Sequence, residues 1–443
     1  MTPPSSVIDP ESTSASTSLF TGARRALVVR AATTPLTAVA GLVAARVTVS
    51  SLGVNGYALF ALVVGLAALN PIGDLGVGGA VTDAVARRDE MGPDGVQRVL
   101  RTSVRVLVVV SFLVTIGSWA LAGLGVWAPV LGVPASGELE VAVAASLTLF
   151  AAGLPLGLSL SVLLGAERND IAVAFQGSSS LLALLIVLLA AETHAPLWAY
   201  TAASATGAAI AVTAAWPMAS KASGLPLLSI VRSAAVRARA GARIAHFAGP
   251  MMVIMMSLPI AYQSDRLLLS HLSDLGQVAI YSIGTQLYSP MFGLIGAAGM
   301  SLWPMFARRR AHQPVARHEL IRLWAVFALV GLLLALALVI AGPWVAQFVS
   351  KGKIDVSRGV FVAFGILLVV QACWLPIGMH LTDRDGLRFQ AVLHVVMLVV
   401  NLAVSAVLAH QMGAPGPLLG SAGAIVVTMW IPGAWRVLSQ APK

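Results

Sequence analysis

Residues 261–310 read AYQSDRLLLSHLSDLGQVAIYSIGTQLYSPMFGLIGAAGMSLWPMFARRR, which sets an adjacent acid and base, Asp265 and Arg266, inside an otherwise apolar run. A charged side chain near the middle of a bilayer costs about 3 kcal/mol on the insertion scale, so such residues usually face a watery cavity and mark a substrate or ion path. Part of the phrase occurs earlier. Arg46-Val-Thr-Val-Ser50, then Leu52-Gly53 and an apolar run from Tyr57, parallels Arg266-Leu-Leu-Leu-Ser270, then Leu275-Gly276 and a run from Tyr281. Further on, Leu154-Pro155-Leu156-Gly157 and Leu375-Pro376-Ile377-Gly378 stand 221 positions apart (375 − 154), as do Gly165 and Gly386, and Arg87 and Arg308. The chain therefore reads as two halves, each with one deep arginine.

Of the 443 residues, 58% are hydrophobic and 10% charged, with a mean hydropathy of +0.88. Soluble domains carry about 25% charged residues, so this is a polytopic, all-α membrane protein. Apolar runs long enough to cross a bilayer, roughly 20 residues each, recur with no room between them for a folded soluble domain. The single cysteine, Cys373, excludes an internal disulfide and a thiolate metal cluster. A formal charge of +10 comes from 24 Arg and four Lys against 18 acids. Beside membrane spans such residues meet anionic lipid and fix topology, so nucleic acid is not an expected partner. The Arg-for-Lys bias and the abundance of Ala, Gly and Val resemble a GC-rich bacterial genome.

Twelve spans are expected, near 27–49, 56–81, 106–127, 141–164, 171–191, 196–217, 247–269, 278–306, 323–349, 360–381, 391–408 and 414–434. With the amino end inside, 23 of the 28 basic residues fall on the cytoplasmic side, and both termini are cytoplasmic. Arg46, Arg266, Lys351, Lys353 and Arg358 are the five outside or deep. Six spans separate equivalent positions, so the halves enter the membrane in the same direction, as parallel repeats with a cavity between them. The expected organisation is a disordered tail over 1–25, a six-helix bundle over 26–217, a basic cytoplasmic linker over 218–246, a second six-helix bundle over 247–437 and a short tail over 438–443. Within the linker, SIVRSAAVRARAGAR at 229–243 has the composition of a basic helix lying on the inner interface, with an ordinary basic linker as the equal alternative.

Motifs for catalysis are nearly absent: no HExxH helix, no GxxxxGK[ST] loop and no GxSxG elbow occurs. Asp383-Arg384-Asp385 spells D-x-D, which holds a divalent metal in some sugar transferases, but here it occupies a short turn whose first-half counterpart is Glu167-Arg168-Asn169-Asp170. A solvated connector explains both, and neither an enzyme activity, a cofactor nor a metal site is expected. Gly79-Ala-Val-Thr-Asp83-Ala-Val-Ala-Arg87-Arg88 superficially resembles the cytoplasmic signature of major facilitator transporters, yet lacks the glycine-arginine turn after its acid.

Leu52-Gly53-Val-Asn-Gly56-Tyr57-Ala-Leu-Phe60, Gly73-Asp74-Leu-Gly76 at the end of the second span and Gln263-Ser-Asp265-Arg266 resemble more specifically the polysaccharide flippases. These are the O-antigen and teichoic-acid type exporters of the multidrug/oligosaccharidyl-lipid/polysaccharide superfamily. The resemblance covers the chain from about Ala26 to Arg436. It implies two six-helix bundles facing one another across a cavity alternately open to each side. The implied cargo is a polyprenyl-pyrophosphate-linked glycan carried outward across a bacterial inner membrane by a monomer in contact with anionic lipids. Arg46 and Arg266 occupy places where related flippases use membrane-embedded cations, and Arg30 joins them as a third candidate for cargo binding. Asp265, Asp74 and Asn70 are the candidates for gating or ion coupling, with a pairing of Asp265 and Arg46 as one way to close the outer side. An acid beside the cation departs from a plain anion site and keeps open a proton- or sodium-coupled exporter of small amphipathic molecules on the same fold.

Overall fold

The computed structural model describes residues 10–67, 76–227, 249–300, 302, 303, 305, 306, 309 and 315–440, with side chains from residue 29 onward except at 31, 249–252, 255 and 258. The described chain is helical from end to end. Helix α1 (Pro10–Ala67) is broken at Gly53, whose φ of 72° and ψ of −174° interrupt the helical run between the first two expected spans. Glycine takes this conformation without steric cost. Helix α2 (Val77–Ala86) completes the second crossing, and α3 (Arg88–Gly123) forms the third, broken near its start at Gly92. A short α4 (Trp127–Leu131) precedes α5 (Gly137–Leu156) and α6 (Leu158–Gly165), which together make the fourth. Helix α7 (Asn169–Glu192) is the fifth crossing, and α8 (Leu197–Ala214) with α9 (Trp216–Ser223) is the sixth.

The second half follows the same plan with α10 (Gly249–Leu272), α11 (Leu275–Met300), α12 (Arg317–Ser350), α13 (Arg358–His380) and α14 (Arg384–Met412). Helix α15 (Pro415–Ile425) then runs through a wider π turn, Val426–Trp430, into α16 (Ile431–Gln440). Among the described residues, nine helical stretches are long and apolar enough to cross a membrane. With α10, α11 and the second limb of α1, they fall at the twelve expected places.

The repeat is visible in what packs on what. Helix α1 lies along α7 as α10 lies along α14; α3 packs on α5 as α12 packs on α13; α7 packs on α8 as α14 packs on α15. Gly137 and Arg358 begin equivalent helices at the spacing of the LPxG motifs (358 − 137 = 221). Arg46 and Arg266 each lie seven residues before a break, at Gly53 and at Ser273. Two sequence matches do not survive in register. Leu275-Gly276 opens α11, whereas Leu52-Gly53 forms the break itself, and Gly165 ends α6 whereas Gly386 lies in the first turn of α14. The expected interfacial helix at 229–243 and the candidates Asn70 and Asp74 lie outside the described residues.

The end that carries Gly53, Gly132, Ser273 and Lys351 is the one expected outside from the distribution of basic residues, and is called the outer end below. There the two halves share one apolar core, which joins Ala45, Val49, Tyr57, Trp127 and Leu131 to Leu269, Tyr281, Leu338 and Val349. Val77, Val81, Val96, Leu154, Leu158, Ala172 and Ala219, toward the other end of the first half, form a separate core with no member from the second among the described residues. Among the described residues, the halves are joined at the end that carries Gly53 and Ser273, which is the expected outer end.

Lipid offers helices no hydrophobic gain on association, so small residues that let backbones approach decide which helices pair. A Cβ on Gly207 of α8 would stand 2.7 Å from Ser179 O and from Ala183 N of α7. One on Gly420 of α15 would stand 2.6 Å from Ser405 Oγ of α14. Gly207→Val is expected to cost about 1–3 kcal/mol by overpacking. Gly117→Ala, where a Cβ meets nothing within 4 Å, is expected to be neutral. Thermal unfolding of the two purified variants in detergent, followed by fluorescence, checks both.

Candidate functional site

The seam between the halves is formed chiefly by α1 against α11, with α12 and α10 contributing. At its outer end Arg46 donates from Nη1 to the carbonyl of Phe348, and its guanidinium carbon lies 4.1 Å from the centre of the Phe348 ring. That carbonyl belongs to the last turn of α12, where a cation complements the helix dipole. Across the seam, His271 of α10 has Nε2 3.1 Å from Pro129 O of α4 and Nδ1 2.8 Å from Leu267 O of its own helix. The approach is possible because Gly132 bears no side chain: a Cβ there would stand 2.7 Å from His271 Nδ1. Helix α4 is itself held from below by Glu140, whose carboxylate accepts from Trp127 N at 3.2 Å and Ala128 N at 2.9 Å. Arg46 and His271 thus clasp the outer ends of opposite halves.

Arg266 lies inward of this clasp, half-buried. Its Nη1 donates to Gln263 Oε1 at 3.0 Å, while Nε has no hydrogen-bond partner. The guanidinium presses against α1, where the missing side chain of Gly65 leaves room: a Cβ would stand 2.9 Å from Nη1. A cavity of about 100 Å³ lies here, lined by Leu62 and Leu66 from the first half and by Ile260, Gln263, Ser264, Arg266 and Leu267 from the second. It has room for a few waters and not for a saccharide. Arg30 is exposed on α1, sixteen residues before Arg46, and so roughly 24 Å away along the helix. The three candidate arginines are therefore not one cluster; they lie at separate places along the seam.

Asp265 and Arg266 part company, as neighbours about 100° apart on a helix must. Asp265 is fully buried inside the second half, where its Oδ2 accepts from Tyr281 OH at 2.9 Å. Its Oδ1 completes no hydrogen bond, although Ser421 of α15 lies close enough to act on the carboxylate. The Ser421 hydroxyl donates to Asn401 Oδ1 at 3.0 Å and Ser405 to the same atom at 2.9 Å, while Asn401 Nδ2 lacks a partner. A second polar chain runs beside it: Tyr288 OH donates to Gln371 Oε1, and Gln371 Nε2 donates to Tyr262 OH. The Phe364 ring lies between the two, 5.7 Å from Tyr281 and 5.3 Å from Tyr288. The expected pairing of Asp265 with Arg46 is not formed, because Asp265 turns into its own bundle while Arg46 turns toward the end of α12.

Sequence reasoning passed over Asn401, Ser405, Ser421 and Gln371. The signal was present, since an asparagine in Val399-Val400-Asn401-Leu402 and a glutamine in Val369-Val370-Gln371-Ala372 are costly in hydrocarbon unless partnered. The D-x-D phrase has a structural role: Asp383 caps α14, its side chain accepting from Gly386 N at 3.4 Å.

A sequence-family model described as polysaccharide biosynthesis protein matches residues 27–310. The chain belongs to that family. No curated protein matches this member of the polysaccharide biosynthesis family by sequence. Its fold is shared with a solved structure titled as the lipid II flippase MurJ in an inward closed conformation. The TM-score is 0.65 at 12% identity, over 94% of this chain and 88% of that one. It is shared as well with an inward-facing multidrug resistance MATE family transporter of the MOP superfamily, with TM-score 0.61, 16% identity and coverage of 93% and 98%. The bent form of the Vibrio cholerae MATE transporter VcmN gives 0.60 at 16%, over 96% and 98%. The family member is thus a multi-pass membrane protein with the fold of that superfamily.

If Arg46 and His271 hold the outer side shut, the double variant Arg46→Met, His271→Phe loosens it. With Cys373→Ser as background, Val49→Cys, fully buried in the shared outer core, is expected to react with an impermeant maleimide several-fold faster in the double variant. Equal rates would show that the clasp contributes nothing to closure.

Proposed function

We propose that this chain is a flippase that carries a polyprenyl-pyrophosphate-linked oligosaccharide or repeat unit from the inner to the outer leaflet of a bacterial inner membrane, by alternating access. The observation that carries the reading is Arg266, a guanidinium with hydrogen-bonding capacity to spare, held against the cavity between two repeated halves. Planar guanidinium meets phosphate oxygens through paired hydrogen bonds that an ammonium does not reproduce. In the closed state the cavity is too small for the cargo, so binding accompanies separation of the halves about the α1–α11 seam. Arg30, exposed on α1 toward the inner side, is placed to meet the diphosphate first, and Arg46 is released to it when the outer clasp opens. The protein works as a monomer, with both termini in the cytoplasm and its basic loops against anionic lipid.

The membrane potential, negative inside, favours the movement. Two negative charges carried outward gain about 4.6 kcal/mol per 100 mV, from roughly 2.3 for each. A second reading, a proton- or sodium-coupled exporter of small amphipathic molecules, is favoured by the geometry at Asp265. A fully buried carboxylate with a vacant oxygen beside Tyr281 and Ser421 suits exchange of a monovalent cation. Both readings give Asp265 a coupling role. They differ at Arg266, since a positive cargo gains nothing from a guanidinium in its path.

Vesicles containing the full chain and a fluorescent lipid-linked saccharide separate the two. Arg266→Gln is expected to abolish flipping and Arg266→Lys to retain a fraction, while both proteins still insert. Undiminished flipping by Arg266→Gln refutes the diphosphate reading. Ion-gradient-driven efflux of a cationic dye by the wild type, without saccharide flipping, supports the second.

A further inference from the structure

The first half carries a second and larger space, an open groove, that the seam does not use. A groove of about 540 Å³ runs between α5 and α6 on one side and α7 and α8 on the other, with walls that include Phe150, Gly153, Leu158, Leu164 and Phe175. The few polar side chains on it are Ser161, Gln176 and Ser179. It occupies the inner part of these crossings, between the LPLG bend and the Glu167-Arg168 turn.

The repeat makes the groove informative. The spacing of 221 that superposes the LPxG motifs places Gly153 on Trp374 (374 − 153). In the second half the Trp374 indole fills the corresponding space. It lies 6.2 Å from the His394 ring in an edge contact, and within 2.8 Å of where a Cβ on Gly433 would stand. In the first half a Cβ on Gly153 would meet nothing within 4 Å. One half therefore closes with an indole what the other leaves as an open groove.

A cation lies at the same level of the first half. Its wall α7 packs along α1 so closely that a Cβ on Gly177 would stand 3.1 Å from Thr33 Cβ. Arg30 is one turn further toward the inner side on α1, and Gln176, next to Gly177, is on the groove wall. Resting on the cargo proposed above, we infer that this groove holds the polyprenyl chain of the lipid-linked substrate and leaves its diphosphate beside Arg30. The tail stays in hydrocarbon within the first half while the glycan passes along the seam. A branched isoprenoid meets one phenyl ring on each wall, Phe150 and Phe175, with small residues such as Gly153, Ala205 and Ala209 between them.

The test uses the full chain in nanodiscs and a polyprenyl pyrophosphate carrying a benzophenone at its distal end. Irradiation is expected to label residues between 150 and 179. Gly153→Trp, which copies the second half's own filling residue, is expected to reduce the adduct about tenfold, equivalent to losing burial of a couple of methylene groups. Ala209→Phe, filling from the opposite wall, gives a second variant should the first fail to elute as a folded monomer. Labelling spread evenly over lipid-facing positions such as Leu113 and Val407, or competition by phosphatidylglycerol as effective as by unlabelled polyprenyl phosphate, overturns the inference. Lost labelling with intact flipping refutes the groove alone; retained labelling without flipping leaves the groove and refutes the transport reading.

Discussion

Burial of an acid and a base side by side in apolar helix α10 is the constraint on which the rest of the molecule turns. Each charge needs a partner, and one helix cannot supply both from the same face. Asp265 is met by Tyr281 inside the second half, which commits α11 and α15 to pack around it. Arg266 is left on the opposite side, at the boundary with the first half, where Gly65 gives it room. The helix therefore joins a polar site within one bundle to a cavity between the two. Movement of α10 relative to α1 changes the surroundings of Arg266, while Asp265 keeps its partners on α11 and α15 within the second half.

The outer clasp and the separate inner core complete this picture. Arg46 and His271 use backbone carbonyls of the opposite half as acceptors. Such contacts are worth only a few kcal/mol together and can be exchanged for water when the seam opens. The other end of the first half, by contrast, has an apolar core of its own among the described residues. A barrier made of a few replaceable polar contacts over a shared apolar layer suits a transporter whose halves separate there.

Class, span positions and the repeat were legible in the sequence because they rest on long apolar runs and on their spacing. Charge distribution adds an expected direction. Arg266 was legible because a charge in an apolar run is costly wherever the helix places it. Its partners were not, since the direction of a side chain on a membrane helix depends on which faces the neighbouring helices cover. Thus Arg46 was expected to meet Asp265 and instead meets the end of α12, and Asn401, Ser405 and Ser421 became a cluster only when α14 and α15 were brought beside α10. The groove in the first half was hidden for the same reason. Gly153 and Trp374 were both plain in the sequence, but their equivalence acquires meaning only when the LPxG motifs are seen to occupy matching helices.

Pulsed electron spin distance measurements on two labelled pairs in the same membrane decide whether the halves alternate about this seam. One pair, Ser136 with Lys353, joins the outer loops of opposite halves, and the other, Arg98 with Arg388, joins their inner ends. Addition of a polyprenyl-pyrophosphate saccharide together with an inside-negative potential is expected to lengthen the outer distance while the inner one shortens. If both distances stay fixed, or lengthen together, the two halves do not exchange access around α1 and α11, and the transport mechanism built on that seam is wrong.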